Sequence, residues 1–337
     1  MSFIVRAVRR EDLQSLYELA RQFTLLNLPA QKRVIESKIE RSIASFAHEH
    51  SKADAEYMFV AEDTEAEMVA GNSMILAKNG TPSSPNFSFK VLKKERFSRE
   101  LGVGFIHQIL RLNINTDGPT EVGGLVVDRG YRRRPEKVGR MISLSRFIYI
   151  AMEPDRFEEE LHSEMAPPLT DEGRSEFWEA LGRRFTGMPY QEADQISSQN
   201  NGFIQSLFPE EDIYLALLDS KARLVLGRVA EETQPALHLL NRIGFKYKDE
   251  VDPFDGGPHL GCPTKECTIV RNMKRYKLKR TKSGTFEQNA LVGMTRDGSY
   301  LGSASSFRVE GGEIVLPEKT WVLLNLSEGE EICLSPL

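Results

Sequence analysis

Residues 122–151 constrain the fold more than any other stretch. Val122 to Val127 is an apolar run that reads as a short buried strand, and the chain turns at once through Asp128-Arg129-Gly130. Arg132-Arg133-Arg134-Pro135-Glu136-Lys137-Val138-Gly139-Arg140 follows, and from Gly139 to Ala151 apolar residues return at helical spacing. A strand that delivers a cationic loop to the start of a helix belongs to an α/β architecture. The same arrangement suits anions. N–H groups are free at a helix start, the dipole there is positive, and guanidinium groups add charge-assisted hydrogen bonds. The segment also reads as a solvated basic loop capping a helix, and taken alone it leaves both readings open.

Phe3–Val8 has the character of a strand, and Glu11-Asp12 open a helical stretch through Leu13, Leu16, Leu19 and Ala20. The spacing predicts a second helix over Pro29–Phe46. Strands are expected at Tyr57–Ala61, at Met68–Leu76 with Gly71 as a bulge, and at Phe87–Leu92. Leu101–Leu112 reads as a packed helix. So do Phe157–Met165, Ser175–Phe185, Glu192–Leu207 and Pro235–Ile243. Val225–Val229 and Phe245–Val251 read as strands, while Ile213–Leu218 fits a strand or a short helix. Lys274–Lys282 reads as a hydrophilic basic joint. Beyond it, short apolar runs between Asp-Gly, Gly-Gly and Glu-Gly turns predict a small all-β module, with Trp321–Leu324 as one of its strands. We therefore expect domains at 1–152, 153–273 and 274–337, the last being linker and β module.

The 337 residues carry a formal net charge of −5, which argues against broad nucleic-acid affinity. No run of about 18 apolar residues and no signal-peptide pattern occurs, so no membrane partner is expected. Three cysteines in a chain of this length point to a reduced, cytoplasmic setting.

Longer landmarks follow one another along the chain. They are Asn27-Leu28-Pro29, Tyr57-Met58-Phe59-Val60, Ser145-Arg146-Phe147, Asp155-Arg156-Phe157, Glu164-Met165, Phe177-Trp178-Glu179-Ala180-Leu181-Gly182-Arg183-Arg184-Phe185 and Asp252-Pro253-Phe254-Asp255-Gly256-Gly257-Pro258. In this order they resemble the arginine N-succinyltransferases over nearly the whole chain. The resemblance implies an α/β (α+β) fold of two acetyltransferase-like (GNAT), mixed but mostly antiparallel sheets that face each other, flanked by helices. It implies transfer of a succinyl group from succinyl-CoA to the α-amino group of L-arginine or a related amine, in arginine catabolism. The expected partners are a CoA thioester and an amino-acid acceptor, with no metal, and the chain is expected to form homo- or hetero-oligomers with a related subunit.

By the same resemblance, Leu125, Val126 and Val127 line the pantetheine arm. Arg132, Arg133, Arg134, Lys137, Val138, Gly139 and Arg140 hold the phosphates. Asp255, Gly256 and Gly257 form a loop for a cationic acceptor, although a tight structural turn accounts for them equally. The sequence departs from the family pattern at informative places. Lys137 stands where the pattern has a Gly, Ala166 where it has an Arg, and Glu176 where it has a Pro. The family's proton-donating His belongs to a His-x-x-Thr-x-Pro-Ala run, which here reads Ala230-Glu231-Glu232-Thr233-Gln234-Pro235-Ala236. Glu231 is the substitute candidate for catalysis. Other outcomes are reliance on positioning and a water, a different acceptor, or a catalytically impaired CoA-binding subunit.

His259, Cys262 and Cys267 supply three possible zinc ligands without a fourth and without paired short spacings, so no metal is expected from them. His162 and the other histidines read as packing or surface residues. A nucleic-acid role would rest on the 274–282 run alone.

Overall fold

The computed structural model describes residues 2–22, 28–197, 201–281 and 284–337. Asn27, residues 198–200 of the expected 192–207 helix, and Lys282 at the end of the basic joint lie outside the described residues.

Strands run over Phe3–Ala7 (β1), Glu56–Asp63 (β2), Met68–Leu76 (β3), Asn86–Ser98 (β4), Val103–Asn115 (β5), Thr120–Val127 (β6), Glu160–Glu164 (β7) and Ile213–Tyr214 (β8). They continue at Lys246–Val251 (β9), Pro258–Pro263 (β10), Lys274–Lys277 (β11), Gln288–Arg296 (β12), Ser299–Glu310 (β13), Glu313–Val315 (β14) and Glu331–Pro336 (β15). The helices are Leu13–Ala20 (α1), Lys32–Phe46 (α2), Val138–Met152 (α3), Glu176–Ala180 (α4), Gly182–Thr186 (α5) and Tyr190–Ser197 (α6). Gly202–Leu207 (α7), Ser220–Val225 (α8), Gln234–Arg242 (α9), Thr268–Asn272 (α10) and Glu318–Leu324 (α11) complete them. The class is mixed α/β, with mostly antiparallel sheet flanked by helices.

Two compact units divide the chain. The first comprises residues 1–78, 120–161 and 263–337, and the second 79–119 and 162–262. These cuts differ from the sequence boundaries at 152 and 273, because contacts rather than chain order group the segments.

In the first unit the strand order is β11-β15-β12-β13-β1-β2-β3-β6. All five residues of β1 are buried because β13 flanks it on one side and β2 on the other. The C-terminal strands therefore extend the first unit's sheet instead of forming a separate module, with Val5 opposite Gly302 and Arg6 opposite Leu301. Helix α3 is apolar on nearly every side, as a helix enclosed by protein must be. Its Tyr149 meets Phe46, Tyr57 and Phe59 at ring-centroid distances of 5.1–5.7 Å.

In the second unit the order is β10-β9-β4-β5-β8. Its core collects the aromatic landmarks. Trp178 stacks on Phe254 at 5.1 Å and 7°, and Phe89 meets Phe177 edge-on at 6.3 Å. Ser175 caps α4 by accepting from the Trp178 N–H at 3.0 Å. Phe177-Trp178 and Asp252–Pro258 are thus two sides of one packing unit.

Five expectations need correction. Leu101–Leu112 is not a helix. Within β5, Leu110, Leu112 and Ile114 alternate with Arg111 and Asn113, and the strand pairs with β4 residue by residue. Phe157–Met165 holds the five-residue strand β7, Glu160–Glu164, whose middle residues Leu161, His162 and Ser163 are buried. Val225–Val229 is no strand: Val225 ends α8, which lays Ala222 and Val225 on the second unit's core. The basic joint opens as strand, since Lys274–Lys277 pairs with β15 by backbone while its long cationic side chains reach water. Trp321–Leu324 belongs to α11, whose Trp321 indole N–H donates to the Leu316 carbonyl at 3.1 Å.

Candidate functional site

In the first unit, β6 delivers the basic loop to α3. Between Asn72 and Met74 on β3 lies one residue, while between their partners Val126 and Gly123 on β6 lie two, so β6 bulges at Gly124-Leu125. Gly124 has φ +57, and a Cβ there would come 2.8 Å from the Met74 sulfur. Arg146 braces the bulge from inside the core. Its guanidinium, 2% exposed, donates to the carbonyls of Gly123 (3.0 Å), Ser143 (3.0 Å) and Met74 (3.3 Å) and to the Ser143 hydroxyl (2.9 Å). Burial pushes it down to about 9, still cationic at neutral pH.

Beyond β6, Asp128 caps a short turn by accepting from the Gly130 N–H at 2.7 Å. Arg132 donates to the Val127 carbonyl at 3.0 Å, and Arg134 lies over the Tyr131 ring at 4.4 Å. Arg133 and Lys137 both take left-handed backbone, with φ +61 and +52. Lys137 is the residue before α3, and its carbonyl accepts the first helical bonds, from Arg140 and Met141 at 2.9 and 3.1 Å. The N–H groups of Val138 and Gly139 take no part in the backbone hydrogen bonds of the described residues, as befits a helix start. All ten residues expected at a CoA site thus lie on one bulged strand, one cationic loop and one helix start.

The second unit holds the remaining candidates. The Asp252–Gly257 turn is held internally. Asp252 accepts from the N–H groups of Phe254 (2.7 Å) and Asp255 (3.0 Å), and Asp255 accepts from Gly257 at 2.8 Å. A Cβ on Gly257 would lie 2.3 Å from the Met165 carbonyl, and Gly256 has φ +77, so packing and backbone both require these glycines. Burial first, then Asp252, raises the Asp255 carboxyl well above its usual range. Asp252 rises to about 6, through burial and then Glu164.

Ala230 is 6% exposed, and its N–H donates to the Ala166 carbonyl at 2.9 Å. Glu231 follows in a one-turn 3-10 helix and is exposed.

The sequence reading missed a cluster in this unit. His162 and Glu164 are two apart on β7 and so share a face, and His259 sits on β10. The two imidazoles meet edge-on at 4.7 Å. His162 Nε2 lies 3.3 Å from Glu164 Oε1, and His259 Nε2 lies 3.7 Å from the same oxygen. Burial lowers His162. In His259 burial is outweighed by Glu164, Glu250 and Asp252, which raise it. Burial opposes the charge of Glu164, yet His259 and then His162 hold it down at about 2. The i, i+2 spacing of His162 and Glu164 was the available signal, and assigning a helix to 157–165 hid it.

The fold and the relatives that share its sequence define the class: an acyltransferase that uses an acyl-CoA. The family model described as "Arginine N-succinyltransferase beta subunit" matches residues 3–269, and the chain belongs to the arginine N-succinyltransferase family. It is 30% identical to an arginine N-succinyltransferase of Photorhabdus laumondii, over 99% of this chain and 98% of that one. It is 33% identical to the Citrobacter koseri protein of that name, over 80% of this chain and 79% of that one. A solved structure described as arginine/ornithine succinyltransferase subunit AI from Pseudomonas aeruginosa superposes with a TM-score of 0.88 at 25% identity, covering 99% of this chain and 98% of that one. Among the described residues no helix is long and apolar enough to cross a membrane.

Proposed function

We propose that this chain transfers a succinyl group from succinyl-CoA to the α-amino group of L-arginine or a related amine. The observation that carries the reading is the passage from the β6 bulge through the basic loop to the start of α3. Arg132, Arg133, Arg134, Lys137 and Arg140 supply cationic groups for the coenzyme's phosphates, and the N–H groups of Val138 and Gly139 supply the helix-start donors. Leu125, Val126 and Val127 lie along the acyl arm, where N–H groups freed by the bulge donate to the thioester oxygen as charge develops on it. The neutral amine attacks the thioester carbon, the C–S bond breaks, and the thiolate takes a proton as it leaves. Asp255, Gly256 and Gly257 are assigned to the acceptor, whose cationic side chain suits the acids of that turn.

Ala230 has no proton to give. We assign proton handling to exposed Glu231 or to water, and expect slower turnover than in a relative with His at this position. A non-catalytic CoA-binding subunit is the second reading, and the buried methyl group of Ala230 is the observation that favours it. Three buried cysteines in a chain of this length fit a reducing cytoplasm, where acyl-CoA is made.

Calorimetric titration with succinyl-CoA tests the loop. Changing Arg132, Arg133 and Arg134 together to alanine is expected to weaken binding at least about 10-fold, since each charge-assisted contact contributes about 1.5–3 kcal/mol. Unchanged affinity would remove the loop from the site.

A further inference from the structure

The His162–Glu164–His259 cluster has the dimensions of a metal site. Each residue offers one ligand atom, and the three atoms lie within 4.8 Å of one another; among the described residues no other His, Cys, Asp or Glu group meets this condition. In a tetrahedral zinc site, donors about 2.0–2.1 Å from the ion sit roughly 3.3 Å apart. The separations of His162 Nε2 and His259 Nε2 from Glu164 Oε1, 3.3 and 3.7 Å, are close to that figure.

The hydrogen-bond inventory supplies an independent reason. His259 is fully buried, yet neither of its ring nitrogens has a hydrogen-bond partner, and Nδ1 of His162, a residue 2% exposed, has none either. A buried polar atom left unpaired is destabilising, because it gives up its hydrogen bond to water for nothing. A cation shared by Nε2 of both rings and by Glu164 would satisfy one of the orphaned His259 nitrogens. The other, Nδ1, faces Glu250 Oε2 at 3.9 Å, a place where a carboxylate orients a ligating imidazole from outside the coordination sphere. Lys248, 3.7 Å from the same Glu250 oxygen, offsets part of that acid's charge, while Asp252 adds negative charge nearby. The Glu164 side chain is 33% exposed, which gives an ion an entry path and leaves room for a water in the fourth position.

We propose that His162, Glu164 and His259 bind a divalent transition-metal ion of the zinc class, with Glu250 as the outer partner of His259. The site uses His259, from which the sequence reading expects no metal, with neither Cys262 nor Cys267 in the set. It is independent of the acyl-transfer reading, and each can fail without the other.

The test is calorimetric titration of untagged, chelator-treated full-length protein with zinc chloride, alongside metal analysis after dialysis. One zinc per chain is expected. His162→Gln and His259→Gln should each weaken binding at least about 100-fold, and Glu250→Gln, which keeps all three ligands, about 10-fold. Circular dichroism of each variant separates lost binding from lost folding. Wild-type protein that takes up no zinc overturns the proposal, as does a His162→Gln/His259→Gln double variant that binds as tightly as wild type.

Discussion

Asp194 sits on α6 with one carboxylate oxygen buried and without a hydrogen-bond partner. Burial, and then the nearby Asp252, raise its carboxyl from 3.8 to about 7. Such an acid keeps its proton in the fold after the unfolded chain has lost it. Its contribution is therefore complete below about pH 4 and is lost as pH climbs through about 7. Asp194→Asn removes that loss. The variant is expected to be more stable than wild type by about 1–2 kcal/mol at pH 8, with the gap closing toward pH 4. Denaturant melts at the two pH values check this, and an equal gap at both would contradict it. Arg146 makes the complementary point. The sequence exposed it as part of a family landmark, but its work, four donated hydrogen bonds beneath the β6 bulge, is visible only in three dimensions.

At the scale of elements, the start of α3 is where this chain departs from its family's pattern with a physical consequence. Lys137 holds left-handed backbone at φ +52, where the family pattern has a glycine. That conformation costs a side-chain-bearing residue about 1–2 kcal/mol. Lys137→Gly should therefore leave stability unchanged or raise it by up to about 1 kcal/mol, while weakening CoA binding through the lost ammonium. Thermal melts and CoA titration read the two effects separately; a clear loss of stability would contradict the strain argument. The strand–loop–helix passage was legible because apolar runs, arginines and helical spacing adjoin in the sequence. The β4–β5 hairpin was half legible: Phe87–Leu92 reads as strand, while Leu101–Leu112 was taken as helix on apolar content although Leu110, Leu112 and Ile114 alternate with polar residues. Backbone pairing made by β11 and the joining of β13 to β1 leave no local trace, because partners distant in the chain decide them, Leu334 opposite Lys274 and Gly302 opposite Val5. The His–Glu–His cluster joins a local signal, the i, i+2 pair on β7 that a helix assignment hides, to a distant residue on β10 that leaves none.

For the whole molecule, we infer that copies of this chain associate. The far end of the β4–β5 hairpin leaves Phe97, Leu101, Phe105 and Ile106 exposed by 62–75%. Apolar side chains gathered at a hairpin end suit a self-complementary contact with a second copy. Sedimentation velocity should find a dimer or larger species that Phe105→Ser/Ile106→Ser converts to smaller ones. A wild-type monomer at micromolar concentration would contradict it.

The central claim, succinyl transfer despite Ala230, is tested most directly by following thiol release from succinyl-CoA with and without arginine. Arginine-dependent release of CoA is expected, slower than in a His-bearing relative and faster in Ala230→His. Release that does not depend on any amine acceptor, or no release from protein that binds CoA, would contradict it and leave the chain as a non-catalytic subunit of its family.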